Sequence, residues 1–460
     1  MKLIEDVSVR LSQAKFRKYY LMLFSFFIFL IVIPFLPGWM NYGLEYDVTD
    51  ILDYVEMFFV LATLLYLYMN TNKGELNRYK ENYKFYEQRY EGEVLLTLTV
   101  GANSVHSSSI DYDNIDIFEN GPKRLLDINF ILGEGEYSLP LLIQESARDI
   151  LVNKFNVQSK TDYNGLTLSL NDIVVLPDGR LNMNFCRSSY YDYLLTNMIP
   201  EYEILSGLTV RDYLEASGKK TLNDLNVSLA ENHLGISCLV TIPIEEDGHL
   251  NDYLIIPKRS MDTTVFKGQL APSVSGAANI DTCSKNGEVS LVNFFCQEID
   301  EEISPLLKEV YCVDSYDVFK TNFLENAVLV GISRELKRLG KPELFFSFGF
   351  KQVLSMEALQ ENNELNVISK SGYYEVSVKK NEMGGIDFSE CDSYFLVQPE
   401  YFIRNLKEYT KKKARSKSSF NNEEIYTVFT DENIKVSESL LVNVIYSSKA
   451  AEVLLSKASS

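Results

Sequence analysis

The sequence has few of the residues that hold structural metals or disulfide frameworks. Its 460 residues include six cysteines and three histidines, and no two cysteines form a CxxC pair. Structural zinc sites need four cysteine or histidine ligands at short, regular spacings, and disulfide frameworks belong mainly to short secreted domains. The composition therefore argues against both classes of protein, and the cysteines are expected to be buried, reduced thiols.

Negative charge outweighs positive charge beyond the first fifth of the chain. The formal net charge is −20, whereas the residues up to Gly92 hold 10 Lys and Arg against 11 Asp and Glu. Almost all of the net negative charge therefore lies after Gly92. An acidic surface repels nucleic acid and anionic lipid. We expect no DNA or RNA polymer as a partner, and a ligand that carries phosphate needs a local basic pocket.

Long apolar runs occur only near the N-terminus, and they predict two transmembrane helices at 19–40 and 51–69. A helix needs about 20 apolar residues to cross the hydrocarbon core of a bilayer. A cleaved signal peptide and a buried core helix are the alternatives. The first run is long for a signal peptide and no small-residue cleavage site follows it. Two such segments close together are more typical of a hairpin, preceded by a segment at 1–18.

The distribution of basic residues predicts how this hairpin is oriented. Five Lys and Arg precede the first helix and five follow the second, whereas the loop Asn41–Asp50 has none. Positively charged flanks stay on the cytoplasmic side of a membrane. Both termini are therefore predicted to be cytoplasmic, with the protein in the inner membrane of a cell and the lipid bilayer as a partner.

A stripe of apolar side chains follows the second predicted membrane helix and indicates a helical stalk at 70–92. Its members recur at spacings of three and four, which places them on one side of a helix; they are Leu76, Tyr79, Tyr83, Tyr86 and Tyr90. The stripe is short, so two interpretations stay open. The stalk forms a coiled coil with other copies, or it packs on its own soluble domain.

The rest of the chain mixes strand and helix patterns, which predicts an α+β fold. Its first part, 93–234, contains predicted strands at Val94–Val100, Leu125–Leu132, Leu166–Val175 and Leu181–Cys186 and a helix at Leu141–Phe155. Its second part, 235–460, contains a predicted hairpin, a helix at Val289–Ile303, further strands at Asn326–Ser333 and Glu343–Phe350, and a closing helix at Ser437–Leu455.

One segment of the second part resembles the Nudix superfamily. The family's box is GX5EX7REUXEEXGU, and the residues from Gln297 to Ile303, QEIDEEI, match its REUXEEX portion with Gln in place of Arg. The preceding YLIIPKRS resembles the family's opening hairpin, and APSVSGAANI resembles the strand that leads into the box. The resemblance covers about Asp162–Ser448 and is specific only between about Gly235 and Phe350. It implies an α/β/α sandwich with a mixed sheet.

The resemblance implies a magnesium site formed by Glu298, Glu301 and Glu302. These carboxylates stand at i, i+3 and i+4, so they share one side of a helix, and Mg²⁺ prefers oxygen ligands and bridges to phosphates. Glu288 is a further candidate ligand or base. The box also departs from the family pattern: Cys283 stands at the place of its first Gly, Val289 at that of its first Glu, and Ser304-Pro305 replaces its closing Gly. The alternative is that EIDEE is a solvated helix face.

Three functions are consistent with this organisation. The arrangement resembles membrane-bound Nudix-type effectors of bacterial CBASS anti-phage systems, which implies a cyclic nucleotide second messenger as ligand, assembly into a homo-oligomer and disruption of the membrane. Lys258, Arg259 and Arg187 would then bind phosphates, and Tyr190 or Tyr191 would stack on a base. The alternatives are a membrane-tethered, magnesium-dependent Nudix hydrolase of a nucleoside diphosphate derivative and a membrane scaffold that binds a protein.

Overall fold

The computed structural model describes a large part of the chain after residue 88. The described ranges are 89–92, 95–100, 103–109, 123–155, 164–205, 208–215, 220–260, 268–285, 288–303, 306–307, 321–370, 372–379, 391–409, 424–427 and 434–447. Within them, no helix is long and apolar enough to cross a membrane. The predicted membrane helices at 19–40 and 51–69, and the stalk as far as residue 88, lie outside these ranges and stay predictions.

The chain divides into two compact units. The first comprises 1–77 and 149–158, of which only the helical residues 149–155 are described, and the second comprises 78–148 and 159–460. The described strands, in chain order, are β1 (Leu95–Val100), β2 (Asn103–Ser109), β3 (Lys123–Arg124), β4 (Ile128–Glu136), β5 (Leu166–Val175), β6 (Leu181–Ser189), β7 (Glu203–Leu205), β8 (Leu208–Thr209), β9 (Gly235–Glu246), β10 (His249–Arg259), β11 (Val274–Ala277), β12 (Ser284–Lys285), β13 (Glu288–Val289), β14 (Val328–Glu335), β15 (Lys341–Gly349), β16 (Leu354–Ser355), β17 (Leu365–Lys370), β18 (Tyr373–Val378), β19 (Cys391–Val397), β20 (Leu406–Tyr409), β21 (Glu424–Thr427) and β22 (Ile434–Lys435).

Short and medium helices connect these strands. They are α1 (Leu141–Phe155), α2 (Tyr190–Thr196), α3 (Val210–Leu214), α4 (Ile280–Cys283), α5 (Leu291–Glu302), α6 (Met356–Glu361) and α7 (Pro399–Arg404), with 3₁₀ turns at Leu125–Asp127, Leu225–Val227 and Leu336–Arg338. Residues 321–326 and 438–447 are also helical. The protein therefore has the mixed α+β fold that the alternating patterns predict.

A large mixed sheet organises the second unit. Its order is β1-β2-β14-β15-β9-β10-β19-β18-β17, and β11 and β16 also pair with β9. The pairing of β15 with β9 is parallel, and that of β9 with β10 is antiparallel. The β9–β10 hairpin closes at Asp247 and Gly248, which both have positive φ. Two such residues form the turn whose twist matches a hairpin, so the predicted hairpin closes with a two-residue loop.

Alternate residues of β9 face opposite sides of this sheet, as strand geometry requires. Ile236, Cys238 and Val240 belong to the core that also contains Phe294, Phe295 and Ile299 of α5. Leu239, between them, belongs to a second core with Leu440, Leu441 and Val444 of the 438–447 helix. The large sheet is therefore covered by α5 on one face and by a C-terminal helix on the other.

A smaller sheet, in the order β4-β6-β5, is joined to the large one by the residues just before β9. Leu170 N–H donates to the Asn232 carbonyl and Leu234 N–H donates to the Leu168 carbonyl, at 2.9 and 3.3 Å. Leu168 and Leu170 are fully buried and share the core with α5. The two predicted parts of the soluble region, 93–234 and 235–460, therefore share one core.

Glycine permits the C-terminal helix to approach the large sheet closely. A Cβ atom on Gly331 of β14 would clash with the ring of Tyr446, which is itself buried. Over-packing of a core usually costs about 1 to 3 kcal/mol, so we expect Gly331→Ala to lower the free energy of unfolding by about that amount. Urea denaturation measures this. Gly135→Ala is the matched control, because nothing lies within 4 Å of the added atom, and an equal loss in both variants would contradict the explanation.

Candidate functional site

The predicted box lies on α5, whose start is fixed by its first residues. The side chain of Ser290 caps this helix by accepting the N–H of Asn293, which satisfies a backbone donor that the helix leaves unpaired. The helix runs from Leu291 to Glu302, within the predicted Val289–Ile303. Glu288 precedes the helix in the short strand β13.

Glu302 is the most constrained of the three box carboxylates. It is 1% exposed, and its Oε1 lies 2.9 Å from Nη1 of Arg259 on β10. Its other oxygen accepts the backbone N–H of Ser275 on β11, and its backbone carbonyl accepts the Tyr394 hydroxyl at 2.8 Å. A buried carboxylate is stable only when it is paired and hydrogen-bonded. Glu302 therefore joins α5 to β10 through an internal ion pair and to β11 and β19 through hydrogen bonds.

The other two box carboxylates lie in different surroundings. The Glu298 carboxylate covers Gly276 so closely that a Cβ atom there would be 2.6 Å from it. The Glu301 carboxylate accepts a hydrogen bond from the side-chain amide of Gln297 at 2.8 Å, so Gln297 pairs with one glutamate of the predicted box. The segment APSVSGAANI therefore approaches the helix closely at Gly276, where its backbone contacts the Glu298 carboxylate.

The donor atoms of the box suit magnesium, but one carboxylate already has a cationic partner. Oxygen ligands are what Mg²⁺ prefers, and Glu298 and Glu301 supply them. Glu302, in contrast, is paired with Arg259. Among the described residues, no group of three or more His, Cys, Asp or Glu side chains is placed to hold a metal ion. Magnesium therefore stays a prediction, with Glu298 and Glu301 as its candidate ligands.

The predicted ligand-binding residues occupy two different sheets. Lys258 and Arg259 end β10, where Lys258 is paired in register with Ser393 of β19. Arg187 lies on β6, and Tyr190 and Tyr191 begin α2. The structure therefore separates the five residues into a β10 group and a β6–α2 group.

Polar side chains line one face of the smaller sheet, and the sequence interpretation did not find this group. Thr167 is paired with Ser188, Ser169 with Cys186, and Ser169 also with His233. Residues directly opposite one another in a sheet project from the same face. One sequence feature indicates this group of polar side chains. It is the polar run Glu231-Asn232-His233, which comes just before the apolar strand β9. We call Thr167, Ser188, Glu231 and His233 the Glu231 site.

The Glu231 site contains buried polar atoms without hydrogen bonds. Glu231 is 0% exposed and His233 2%, and their nearest polar atoms, Oε2 and Nδ1, are 3.5 Å apart. Neither Glu231 oxygen, nor His233 Nδ1, nor the Thr167 hydroxyl has a hydrogen bond of normal geometry. The His233 ring stacks on Tyr193 of α2 at 4.4 Å. Native structures contain few such atoms, so each one needs an explanation.

Burial raises the pKa of Glu231, and the nearby His233 and Ser188 side chains lower it only in part. A carboxyl whose pKa is higher in the folded state stabilises the fold fully below its unfolded pKa of about 4.3. That stabilisation is lost as the pH rises through the folded-state pKa.

We therefore expect Glu231→Gln to be more stable than the wild type at neutral and alkaline pH. An unsatisfied buried polar group costs about 1 to 3 kcal/mol, and the difference should shrink towards zero near pH 4. Urea denaturation between pH 4 and 9 measures it. Asp192 and Lys341 also influence this region, so Glu245→Gln, at an exposed glutamate, is the control for a change of net charge. A difference that does not depend on pH would contradict the assignment.

A fully buried arginine fixes the last residues of the predicted stalk to the soluble region. Arg211 of α3 is 0% exposed and donates to Glu201 at 2.6 Å, to the Tyr90 hydroxyl at 2.6 Å and to the Leu336 carbonyl at 2.9 Å. Tyr90 is also 0% exposed, and its hydroxyl donates to Glu215. We call Tyr90, Glu201, Arg211 and Glu215 the Arg211 cluster. At Tyr90, the stripe packs on its own domain.

The 3₁₀ turn Leu336–Arg338 lies between the Arg211 cluster and the surroundings of the Glu231 site. Its carbonyls at Leu336 and Lys337 accept hydrogen bonds from Arg211, and its Arg338 carbonyl accepts one from Asn197 at 2.7 Å. Burial raises the pKa of Tyr193 to about 12, although the nearby Arg338 guanidinium lowers it in part. The turn therefore contacts the stalk end through Arg211 and lies beside the tyrosine that stacks on His233.

The sequence matches no protein-family model and no curated protein. The function of these residues is therefore inferred from their own chemistry and positions.

Proposed function

We propose that this protein is a membrane-anchored effector. Its cytoplasmic, Nudix-like domain binds a cyclic nucleotide signal, and the protein then assembles into oligomers that disrupt the inner membrane in anti-phage defence. The proposal combines the predicted N-terminal hairpin with the resemblance to membrane-bound CBASS effectors. The lipid bilayer, further copies of the chain and the nucleotide are its expected partners.

The observation that carries the proposal is the burial of Tyr90 in the Arg211 cluster. An effector needs a rigid connection between the domain that binds the signal and the segment that acts. Arg89 adds ion pairs to Asp212 and Glu215 at 3.1 and 3.2 Å, next to the hydrogen bonds of Tyr90. A shift of the Leu336–Arg338 turn would change the partners of Arg211 and therefore the position of Tyr90, near the end of the predicted stalk.

The ion pair between Arg259 and Glu302 supports binding rather than hydrolysis. A hydrolytic box presents its carboxylates to a metal, whereas here one of them balances a buried guanidinium. A phosphate of the ligand would compete with Glu302 for Arg259, since guanidinium binds phosphate and carboxylate in the same bidentate manner. In the proposal, this exchange at the edge of α5 is one step of signal recognition.

The experiment measures dye leakage from liposomes that contain the full-length protein, with a panel of cyclic dinucleotides and cyclic trinucleotides. One ligand is expected to cause leakage. Tyr90→Phe should reduce leakage at saturating ligand while leaving the affinity for the ligand unchanged, because it removes hydrogen bonds of the Arg211 cluster only. Glu301→Gln should retain leakage. Absence of leakage with every nucleotide, or a full response in Tyr90→Phe, would contradict the proposal.

A magnesium-dependent hydrolase of a nucleoside diphosphate derivative is the second candidate. Glu298 and Glu301 favour it, because both stand on α5 and their carboxylates are oxygen ligands of the kind that Mg²⁺ prefers. The measurement is turnover of nucleotide sugars and dinucleotides by the full-length protein, with and without Mg²⁺. Turnover that requires Mg²⁺ and is lost in Glu301→Gln would favour hydrolysis and would count against the effector proposal.

A further inference from the structure

Several polar atoms of the Glu231 site make no hydrogen bond of normal geometry to the described residues. An ionised carboxylate accepts hydrogen bonds at both oxygens and donates none. Both oxygens of Glu231, together with Nδ1 of His233 and the Thr167 hydroxyl, lack a hydrogen bond of normal geometry. The three side chains are between 0% and 4% exposed, so bulk water does not supply the missing partners. The Thr167 hydroxyl and the His233 ring can donate hydrogen bonds, but neither makes one of normal geometry to the Glu231 carboxylate.

The cationic residues nearby are already paired. Arg338 lies 3.4 Å from Glu335, Arg211 lies 2.6 Å from Glu201, and the Lys341 ammonium lies 3.9 Å from Glu343. Gly235 permits the position of Lys341, because a Cβ atom there would clash with its ammonium group. Among the described residues, the Glu231 carboxylate therefore has no close cationic partner other than His233.

Tyr137 joins the smaller sheet to the segment that contains Glu231. Its backbone N–H donates to the Arg187 carbonyl of β6 at 2.7 Å. Its hydroxyl donates to the carbonyl of Leu229, two residues before Glu231, at 2.6 Å. Burial, followed by the charge of Glu231, raises the pKa of Tyr137.

We propose that the Glu231 site binds a planar group with two parallel N–H donors, such as the edge of a guanine base or a guanidinium. Such a group donates to both oxygens of one carboxylate at once. His233 and the Thr167 hydroxyl are the additional contacts. If the ligand is a guanine base, the inference rests on the proposed function, because the site would then recognise the base of the nucleotide signal. If the ligand is a guanidinium, the inference does not depend on the proposed function.

The Glu231 site is positioned so that ligand binding there could affect the contacts of the predicted stalk. The His233 ring stacks on Tyr193, and Tyr193 lies beside Arg338 of the turn whose carbonyls hold Arg211. A ligand at Glu231 would therefore be linked to Tyr90 through His233, Tyr193, the Leu336–Arg338 turn and Arg211. Sequence alone gave Tyr190 and Tyr191 as the aromatic contacts of this helix, whereas Tyr193 is the one that faces His233.

The test is isothermal titration calorimetry of the full-length protein in detergent with guanosine, adenosine and methylguanidinium. Adenosine is the matched control for guanosine, since its base lacks the ring N–H that stands beside the amino group in guanine. Guanosine or methylguanidinium should bind the wild type and adenosine should not. Glu231→Gln should weaken that binding about 10- to 100-fold, and Glu245→Gln should not change it.

The two ligand sources and the failure of the proposal are distinguishable. Stronger binding of guanosine identifies the base, and stronger binding of methylguanidinium identifies a guanidinium. The folding of Glu231→Gln is checked by its urea transition, which should not fall below that of the wild type at neutral pH. Equal affinity in Glu231→Gln, or no heat from either probe, would show that the site holds only buried water. This outcome leaves the liposome experiment unaffected, because that readout is membrane leakage.

Discussion

Arg211→Ala is expected to destabilise the protein by about 3 to 5 kcal/mol. Removal of one partner from a buried ion pair leaves the other charge uncompensated, and losses of about this size follow. Glu201, which is 8% exposed, would lose its guanidinium partner at 2.6 Å. The carbonyls of Leu336 and Lys337 would lose their donors as well. Arg211→Lys should recover only part of the loss, because an ammonium cannot reproduce the planar arrangement of donors.

Urea denaturation of the full-length protein measures this loss, with intrinsic tyrosine fluorescence as the signal. Arg180→Ala is the matched control, since the Arg180–Asp178 pair joins two side chains that are 53% and 52% exposed. Exposed pairs contribute little to stability, so this variant should unfold with the wild type. If Arg211→Ala unfolded at the same urea concentration as Arg180→Ala, the Arg211 cluster would not hold the stalk end.

The local patterns in the sequence predicted many of the elements well. The helix Leu141–Phe155 and the strand Leu166–Val175 have the predicted bounds, because their periodicities end at turn residues. The strand predicted from Leu125 begins at Ile128 instead, since Leu125–Asp127 forms a 3₁₀ turn in which the Asp127 side chain accepts the Arg124 N–H. A side chain that bonds to nearby backbone competes with strand formation.

Side-chain partners were harder to predict than elements. The spacing of Glu298, Glu301 and Glu302 places them on one side of a helix, but spacing contains no information on what faces that helix. The partner of Glu302 is Arg259, which is 43 residues away and comes from the neighbouring sheet. Contacts of this kind depend on the strand order of the large sheet, and no local pattern determines that order.

The Glu231 site is a second place where the sequence pattern did not predict the surroundings of a side chain. Glu231-Asn232-His233 is a polar run, and polar runs before a strand usually predict an exposed turn. Here the run pairs with β5 on one side and continues into β9, so it is buried between two sheets. Its burial follows from how β5, β9 and β11 come together, with Ala278 N–H donating to the Leu234 carbonyl at 2.9 Å. Sequence spacing alone does not reveal this.

Arg259→Ala is expected to cost about 3 to 5 kcal/mol, the same range as Arg211→Ala and for a related reason. The Glu302 side chain is 2% exposed and would lose its guanidinium partner at 2.9 Å. Glu302→Gln should cost less, because Arg259, whose side chain is 13% exposed, lies nearer to solvent. The double variant should be more stable than the sum of the two losses predicts, since neither charge is then left alone. Urea denaturation of the four proteins gives the coupling free energy.

Magnesium makes this double-mutant cycle a test of function as well as of stability. Lys258→Ala, at the preceding residue of β10, is the control and should cost much less than Arg259→Ala. If Arg259 occupies the place that a metal takes in a hydrolytic box, Mg²⁺ should raise the Tm of Arg259→Ala and leave the Tm of the wild type unchanged. A rise in both proteins would indicate that Mg²⁺ binds while Arg259 is in place, which favours the hydrolase. No rise in either would mean that the three box carboxylates do not form a metal site, and that Glu302 serves to hold Arg259 where the proposed ligand meets it.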